Sequence, residues 1–259
     1  MLKRCPICCG EPAFERNVND ITLLRCRACK FVYSSMADEE VESVNFSIGK
    51  EITDLYKEIQ GNLDRYYFKT VAAKLSRYIG KSGRVLDIGC GNGLLLSEFG
   101  KLGWQICGCD PSPWAVEAAK QYGFTLYSCE LKDKSIASNS FDLVTGTSTL
   151  EHIARPVEII NEIKRILRPN GAAYFTVPNY GGLAIRLRYA TFSSNKPPWH
   201  CNFFTAETLR RLFREVGMTV IYVRSYGIPE THSVYKWVRR TFCSWRRRLK
   251  PQDKCCVLF

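Results

Sequence analysis

Four cysteines and two histidines have the types and spacing to do chemistry in this 259-residue chain. Cys5-Pro6-Ile7-Cys8 and Cys26-Arg27-Ala28-Cys29 form a C-x2-C-x17-C-x2-C pattern, which lies within the spacing of four-cysteine zinc sites. Each pair supplies two thiolates from one tight turn. Four sulfurs around a tetrahedral ion leave no open position for a substrate, so Cys5, Cys8, Cys26 and Cys29 are expected to hold a structural zinc. Cys9 is a fifth thiol in reach of the same ion. The chain has three histidines, His152, His200 and His232, so few groups can move a proton near neutral pH. His152 directly follows Glu151. His200 lies in Pro198-Trp199-His200-Cys201-Asn202-Phe203-Phe204-Thr205.

A further stretch is built for ligand binding rather than proton transfer. In Val85-Leu86-Asp87-Ile88-Gly89-Cys90-Gly91-Asn92-Gly93, an apolar run carrying one acid enters a turn with glycine at every second position. The apolar run reads as a buried strand, and Leu94 to Phe99 reads as a helix opening. Glycines there accept positive φ and carry no side chain to keep a ligand off the backbone. The N–H groups of a helix start can meet a polar or anionic ligand. The spacing is G-x-G-x-G, not the G-x-G-x-x-G of dinucleotide sites. Gln105 to Asp110 reads as the next strand, and Asp110 ends it 23 positions after Asp87. An acid at that strand end is placed to hold two ribose hydroxyls.

VLDIGCGNG followed by GCDPSPWAVEAAK resembles the class I S-adenosylmethionine-dependent methyltransferases, over roughly Asn62 to Tyr226. The resemblance implies an α/β fold, a doubly wound, Rossmann-like, seven-stranded sheet. It also implies S-adenosylmethionine as cofactor, held by Asp87, Gly89, Cys90, Gly91, Gly93, Asp110 and Pro111, by Glu130 or Leu131 beside adenine, and by Thr147. Glu151-His152 resembles the pair that follows the fourth strand in ubiquinone-pathway O-methyltransferases. Those enzymes carry an acid three residues before the pair that helps hold a divalent metal, and this chain has Ser148 there. The departure argues against a metal at the methyl-transfer site. His152, Glu151 and His200, which resembles the histidine before "FT" in relatives, remain the catalytic candidates. The resemblance implies transfer to a small-molecule acceptor, most simply a hydroxyl. An rRNA or tRNA methyltransferase using the zinc module and a basic tail is the alternative, and a non-catalytic S-adenosylmethionine-binding protein is a second.

The elements that must position these residues follow in order. Residues 1–35 form the zinc-ribbon module, with Ile21 to Leu24 as a strand. Residues 36–61 read as an acidic linker that becomes helical near Ile52. Residues 62–230 form the methyltransferase domain. It opens with an amphipathic helix carrying Leu63, Tyr66, Tyr67, Val71, Leu75, Tyr78 and Ile79 on one face. This helix is expected to cover the sheet, and the resemblance implies that a helix here also roofs the active site, which would let Tyr66, Tyr67 or Phe68 touch the acceptor. Pro111-Ser112-Pro113 starts a helix, Phe124 to Tyr127 is the third strand and Phe141 to Val144 the fourth. Residues beyond a strand's carboxyl end face the ligand in such sheets, which puts Thr147 to Ile153 near the transferred methyl. A helix follows over Pro156 to Leu167, and Arg168-Pro169-Asn170-Gly171 forms its terminating turn. A fifth strand then runs over Ala173 to Asn179. Tyr180 to Asn202 is expected to cover the acceptor. Thr205 caps a helix that runs to Val216 and stops at Gly217, and Thr219 to Val223 is a strand.

Composition bounds the rest. The chain is 46% hydrophobic and 24% charged, as in globular proteins that fold around a core. No apolar run is long enough to span a bilayer, and Met1 to Arg4 leads straight into cysteines rather than into a secretory leader. Thirteen cysteines without such a leader argue for a reducing, cytoplasmic compartment and for metal binding over disulfides. The net charge is +12, and eight Lys or Arg against one Asp fall between Lys236 and Lys254. Residues 231–259 therefore read as a basic aromatic tail. Its Trp, Phe and Arg suit a helix lying in a membrane interface, a peripheral contact through 235–259. Cys256-Val257-Leu258-Phe259 has the form of a C-a-a-X prenylation box, with coincidence as the alternative.

Overall fold

A computed structural model of the chain describes residues 3–45, 62–80, 82–127, 136–182 and 197–224, and the backbone of 255–258. Two sheets organise it. Strands β1 (Pro12–Val18), β2 (Ile21–Cys26) and β3 (Val32–Ser34) make an antiparallel meander. Asn19 and Asp20 turn β1 into β2 with positive φ at both, the conformation a two-residue hairpin loop needs. The fourth strand of this sheet comes from far along the chain: β9 (Asn202–Phe203) pairs antiparallel with β3.

The larger sheet has seven strands in the order β10-β11-β8-β7-β4-β5-β6, and each neighbouring pair is parallel. β4 (Arg84–Ile88), β5 (Gln105–Cys109) and β6 (Thr125–Tyr127) run outward on one side. β7 (Phe141–Thr147), β8 (Leu167–Thr176), β11 (Cys255–Leu258) and β10 (Thr219–Tyr222) extend the other. The strand order reverses between β4 and β7, so a crevice opens beyond their carboxyl ends, where such sheets bind ligands.

Helices cover the sheet because their apolar positions fall on one stripe. After a first helix, α1, over residues 38–45, α2 (Asn62–Ile79) buries Val71, Ala72 and Leu75 in one cluster with Phe99 and Trp104. α3 (Leu94–Lys101) follows the glycine turn, with left-handed Gly93 at its N-cap. α4 (Pro113–Tyr122) ends at left-handed Gly123. α5 (Pro156–Ile166) buries Ile160, Ile163 and Ile166. α6 (Ala206–Glu215) starts with the reciprocal capping of Thr205 and Thr208 and stops before Gly217 at positive φ.

Three stretches depart from the sequence expectation. The acidic segment after the module is not simply a linker. Residues 38–45 are helical, and Met36 and Val41 are buried with Ala154 and Cys201. Within that segment Asp38 joins Lys3 at 2.8 Å to Arg155 at 2.7 Å. The Arg-Pro-Asn-Gly turn does not separate α5 from a later strand. β8 starts at Leu167, paired with Phe141, and the ladder resumes at Ala172 opposite Leu143, so the turn bulges within the strand. The tail is not uniformly outside the domain, since Cys255–Leu258 lies in the sheet between β8 and β10. A strand hydrogen-bonded on both edges has its backbone groups committed to the ladder. Cys256, Val257 and Leu258 of the expected prenylation box are among the residues paired in this sheet. The basic aromatic segment before it, Tyr235 to Lys254 with His232 just ahead, lies outside the described residues. Among the described residues no helix is long and apolar enough to cross a membrane.

Candidate active site

The glycine turn and the acid of the next strand are tied to each other. Gly91 N–H donates to Asp110 Oδ2 at 2.8 Å, and Ser112 N–H donates to Asp110 Oδ1 at 2.8 Å, joined there by the Ser112 hydroxyl. These bonds aim the carboxylate and leave one lone pair open on Oδ2, with a second on Oδ1 once the rotatable Ser112 hydroxyl turns away. Gly89 takes φ 70°, and a Cβ on it would stand 2.7 Å from Thr149 Oγ1. Gly91 takes φ 48°, yet a Cβ there would meet nothing within 4 Å. Gly89 is thus required by its neighbours, whereas Gly91 leaves open space above the backbone. Cys90 is buried, its backbone N–H on the Cys109 carbonyl at 3.3 Å. Gly93 closes the turn onto α3, and Pro111 is exposed just after Asp110.

Asp87 lies beneath this turn, fully buried, and accepts from Thr145 Oγ1 at 2.7 Å. Burial pushes its carboxyl up to about 7; the Thr145 bond pulls the other way, and the charge of Asp110 adds to the rise. Thr145 escaped the sequence reading. A lone hydroxyl amid the apolar run Phe141 to Val144 was the available signal. Thr149 falls in the stretch expected near the methyl, and the structure gives it a bracing role. Its hydroxyl donates to the Ile88 carbonyl at 2.9 Å and ties the end of β4 to the loop after β7. Thr147 ends β7 opposite Thr176. Glu130 and Leu131 lie outside the described residues.

Across the crevice, Leu150–His152 form one 3-10 turn after β7. His152 Nδ1 lies 2.6 Å from the Trp199 carbonyl oxygen. A carbonyl only accepts, so Nδ1 carries the proton and Nε2 keeps its lone pair. The His200 ring stands edge-on to the His152 ring, centroids 4.7 Å apart. Burial and the neighbouring His152 push His200 down to about 3, and burial also lowers His152, so both rings are neutral at pH 7. Glu151 is buried, and neither carboxylate oxygen meets a hydrogen-bond partner among the described residues. Burial raises its carboxyl to about 8. Ligand atoms of Glu151, His152 and His200 all lie within 4.8 Å of one another. A carboxylate and two imidazoles of this kind can take a divalent cation. Ser148 withholds the carboxylate expected at that position, and His200, from another loop, stands as a third donor in its place.

The third group of candidates is the cysteine module. Cys5 Sγ and Cys29 Sγ are 3.5 Å apart, as are Cys8 Sγ and Cys26 Sγ, and all four sulfurs lie within 4.8 Å of one another. Tetrahedral Zn–S bonds of about 2.3 Å put sulfurs about 3.8 Å apart, so the set fits such an ion. The two knuckles match. The fourth residue after each leading cysteine, Cys9 and Lys30, takes positive φ, and the leading carbonyl accepts its N–H at 2.9 and 3.0 Å. Cys9 is exposed and outside the cluster. Among α2 residues, Tyr67 reaches Tyr174 (OH to OH, 3.2 Å), Phe68 packs on the Tyr67 ring, and Tyr66 is exposed.

Comparison with known proteins bears on this arrangement. Residues 59–223 match the family model of a methyltransferase domain, well over half of the chain. The chain is similar to the ubiquinone biosynthesis O-methyltransferase of Xanthomonas oryzae pv. oryzae, 34% identical over 103 residues, covering 37% of this chain and 43% of that protein. With the enzyme of the same description from Nitrobacter winogradskyi it shares 30% over 149 residues, 53% of this chain and 57% of the other. The chain thus spans about half the length of the curated relatives it matches. Among solved structures it is similar in fold to the 1,6-didemethyltoxoflavin-N1-methyltransferase of Burkholderia thailandensis, with a TM-score of 0.52 at 18% identity over 80% of this chain and 88% of that one.

Proposed function

Because the chain belongs to the methyltransferase-domain family and is an S-adenosylmethionine-dependent methyltransferase, we propose that it methylates a hydroxyl of a small-molecule acceptor. The observation that carries this reading is the tautomer of His152. With Nδ1–H spent on the Trp199 carbonyl, Nε2 is a neutral base that can take the proton a hydroxyl must lose. The partial match to O-methyltransferases supports the same acceptor atom.

S-adenosylmethionine supplies a methyl group already activated by its sulfonium charge. The chain's own task is to orient donor and acceptor in line and to exclude water. Asp110, aimed by Gly91 and Ser112, accepts the ribose hydroxyls. Gly91 leaves room over the turn, and Asp87 and Thr145 brace it from below. Gly89, Cys90, Gly93, Pro111 and Thr147 complete the cofactor side. His152 accepts the acceptor's proton at Nε2, and Glu151 and His200 shape that pocket or hold a cation in it. Residues 62–224 with strand β11 are the catalytic domain, and Cys5, Cys8, Cys26 and Cys29 hold a structural zinc.

A labelled-methyl assay on cell extract, split into small-molecule, RNA and protein fractions, tests the acceptor class. Label is expected in the small-molecule fraction, in a bond with the stability of an ether. Label confined to RNA overturns the reading.

A further inference from the structure

We propose that the four-cysteine module is a working part of the active site: through the β3–β9 ladder it holds the Glu151–His152–His200 cluster in place, so metal loading decides whether the acceptor half forms. The inference rests on the structural-zinc reading and on the assignment of that cluster to the acceptor.

β3 begins three residues after Cys29, the last thiol of the cluster. It pairs with β9 through Val32 opposite Phe203 and Tyr33 opposite Asn202, and Ser34 N–H donates to the Cys201 carbonyl at 2.8 Å. β9 is two residues long, too short to hold its own conformation, so the ladder with β3 supports it. β9 in turn fixes the 3-10 turn. Cys201 N–H donates to the Glu151 carbonyl at 2.9 Å, and the buried Asn202 amide donates to the carbonyls of Leu150 at 3.1 Å and Ile153 at 2.6 Å. Glu151 and His152 are thereby bracketed from the module side. The loop that carries Trp199 and His200 is held from the same direction, since Asn19 of the β1–β2 turn donates to the Pro197 carbonyl at 2.9 Å. Phe31 of the second knuckle packs on Phe204, ring centroids 5.0 Å apart.

The cofactor half has no such dependence. Asp87, Gly91 and Asp110 bond to Thr145, Asp110, Gly91 and Ser112, all within β4, β5, β7 and their loops. A meander this small buries little apolar surface by itself; Leu24, Phe31 and Tyr33 share one core cluster with Phe204 and Leu209, and metal binding supplies the free energy that keeps the knuckles folded against that cluster. Losing the ion frees β3, and through β9 it frees the turn and the loop that bring the two rings together.

The test uses the full chain and its histidine ring signals, which are few because the chain has three histidines. Zinc content is measured before and after chelation, ring signals are followed by NMR, and affinity for S-adenosylhomocysteine is measured by calorimetry. Withdrawal of zinc is expected to shift the His152 and His200 signals and to speed exchange of the Cys201 amide at least about a hundredfold. Affinity for S-adenosylhomocysteine is expected to change by less than about threefold, as for uncoupled sites. Asn202→Ala is expected to displace the same signals with zinc still bound, a positioning effect separate from metal loss. Ser34→Pro removes the ladder's donor and serves as the second variant. Unchanged ring signals in a chain shown to have lost its zinc overturn the coupling. A chain that binds no zinc at all overturns the metal reading itself, and those two failures are read from different measurements.

Discussion

The two halves of the candidate active site are built in opposite ways. The cofactor half is local in sequence. Asp87 to Gly93 and Asp110 to Ser112 come from two adjacent strands and bond to each other, and only the neighbouring β7 and its loop, through Thr145 and Thr149, reach them from farther along the described chain. The acceptor half is assembled at a distance, because Glu151–His152 and Trp199–His200 lie about fifty residues apart and both are held by a sheet whose other strands come from residues 12–34. A half built from neighbouring strands tolerates damage elsewhere. A half built from three remote segments depends on all of them. Binding of the methyl donor and use of it are therefore separable by mutation.

The largest expected separation comes from His152→Ala. Loss of a general base typically costs about a hundred- to ten-thousand-fold in rate. Methyl transfer to the small-molecule fraction should fall by that order while calorimetric affinity for S-adenosylhomocysteine stays near normal. Equal loss of both would place His152 on the cofactor side as well.

Next is the pH dependence of the cofactor half. The Asp87 carboxyl lies at about 7 in the folded chain against 3.8 as its ordinary value. A group raised in this way favours folding most when protonated in both states. Its contribution is present below pH 4 and is lost as pH rises through 7, by up to about 4 kcal/mol. Asp87→Asn should remove that loss and raise the melting temperature of the cofactor-free chain at pH 8, while weakening cofactor binding. A variant that melts lower at pH 8 would show that Asp87 is compensated by a charge from its surroundings.

Asp110→Ala should weaken S-adenosylhomocysteine by about 3 kcal/mol, the loss of charge-assisted hydrogen bonds, and leave the His152 and His200 ring signals in place. Near-normal affinity would remove Asp110 from the cofactor side. The smallest effect sharpens the role of the turn itself. Gly89→Ala combines positive φ with a clash against Thr149, whereas Gly91→Ala meets open space. We expect Gly89→Ala to destabilise the fold by about 2 kcal/mol and Gly91→Ala by about 1 kcal/mol. Gly91→Ala should nevertheless be the more damaging of the two to cofactor affinity relative to its effect on melting.

The amino-acid sequence by itself determined the elements whose signals are contiguous. An apolar run into G-x-G-x-G, an acid ending the next strand, and proline, threonine and glycine at helix ends are local patterns, and local sterics and hydrogen bonding suffice to produce what they encode. The paired C-x2-C knuckles belong to the same class. Tertiary structure alone decided which distant groups meet. Asn202, expected in a covering loop, pins the Leu150–His152 turn, and His200 stands as the third donor beside Glu151 and His152. Cys255–Leu258 left the tail to enter the sheet. Such pairings follow from which edges and apolar faces remain to be covered once the local elements have formed. That is a property of the whole chain's packing, and no single window of residues carries it.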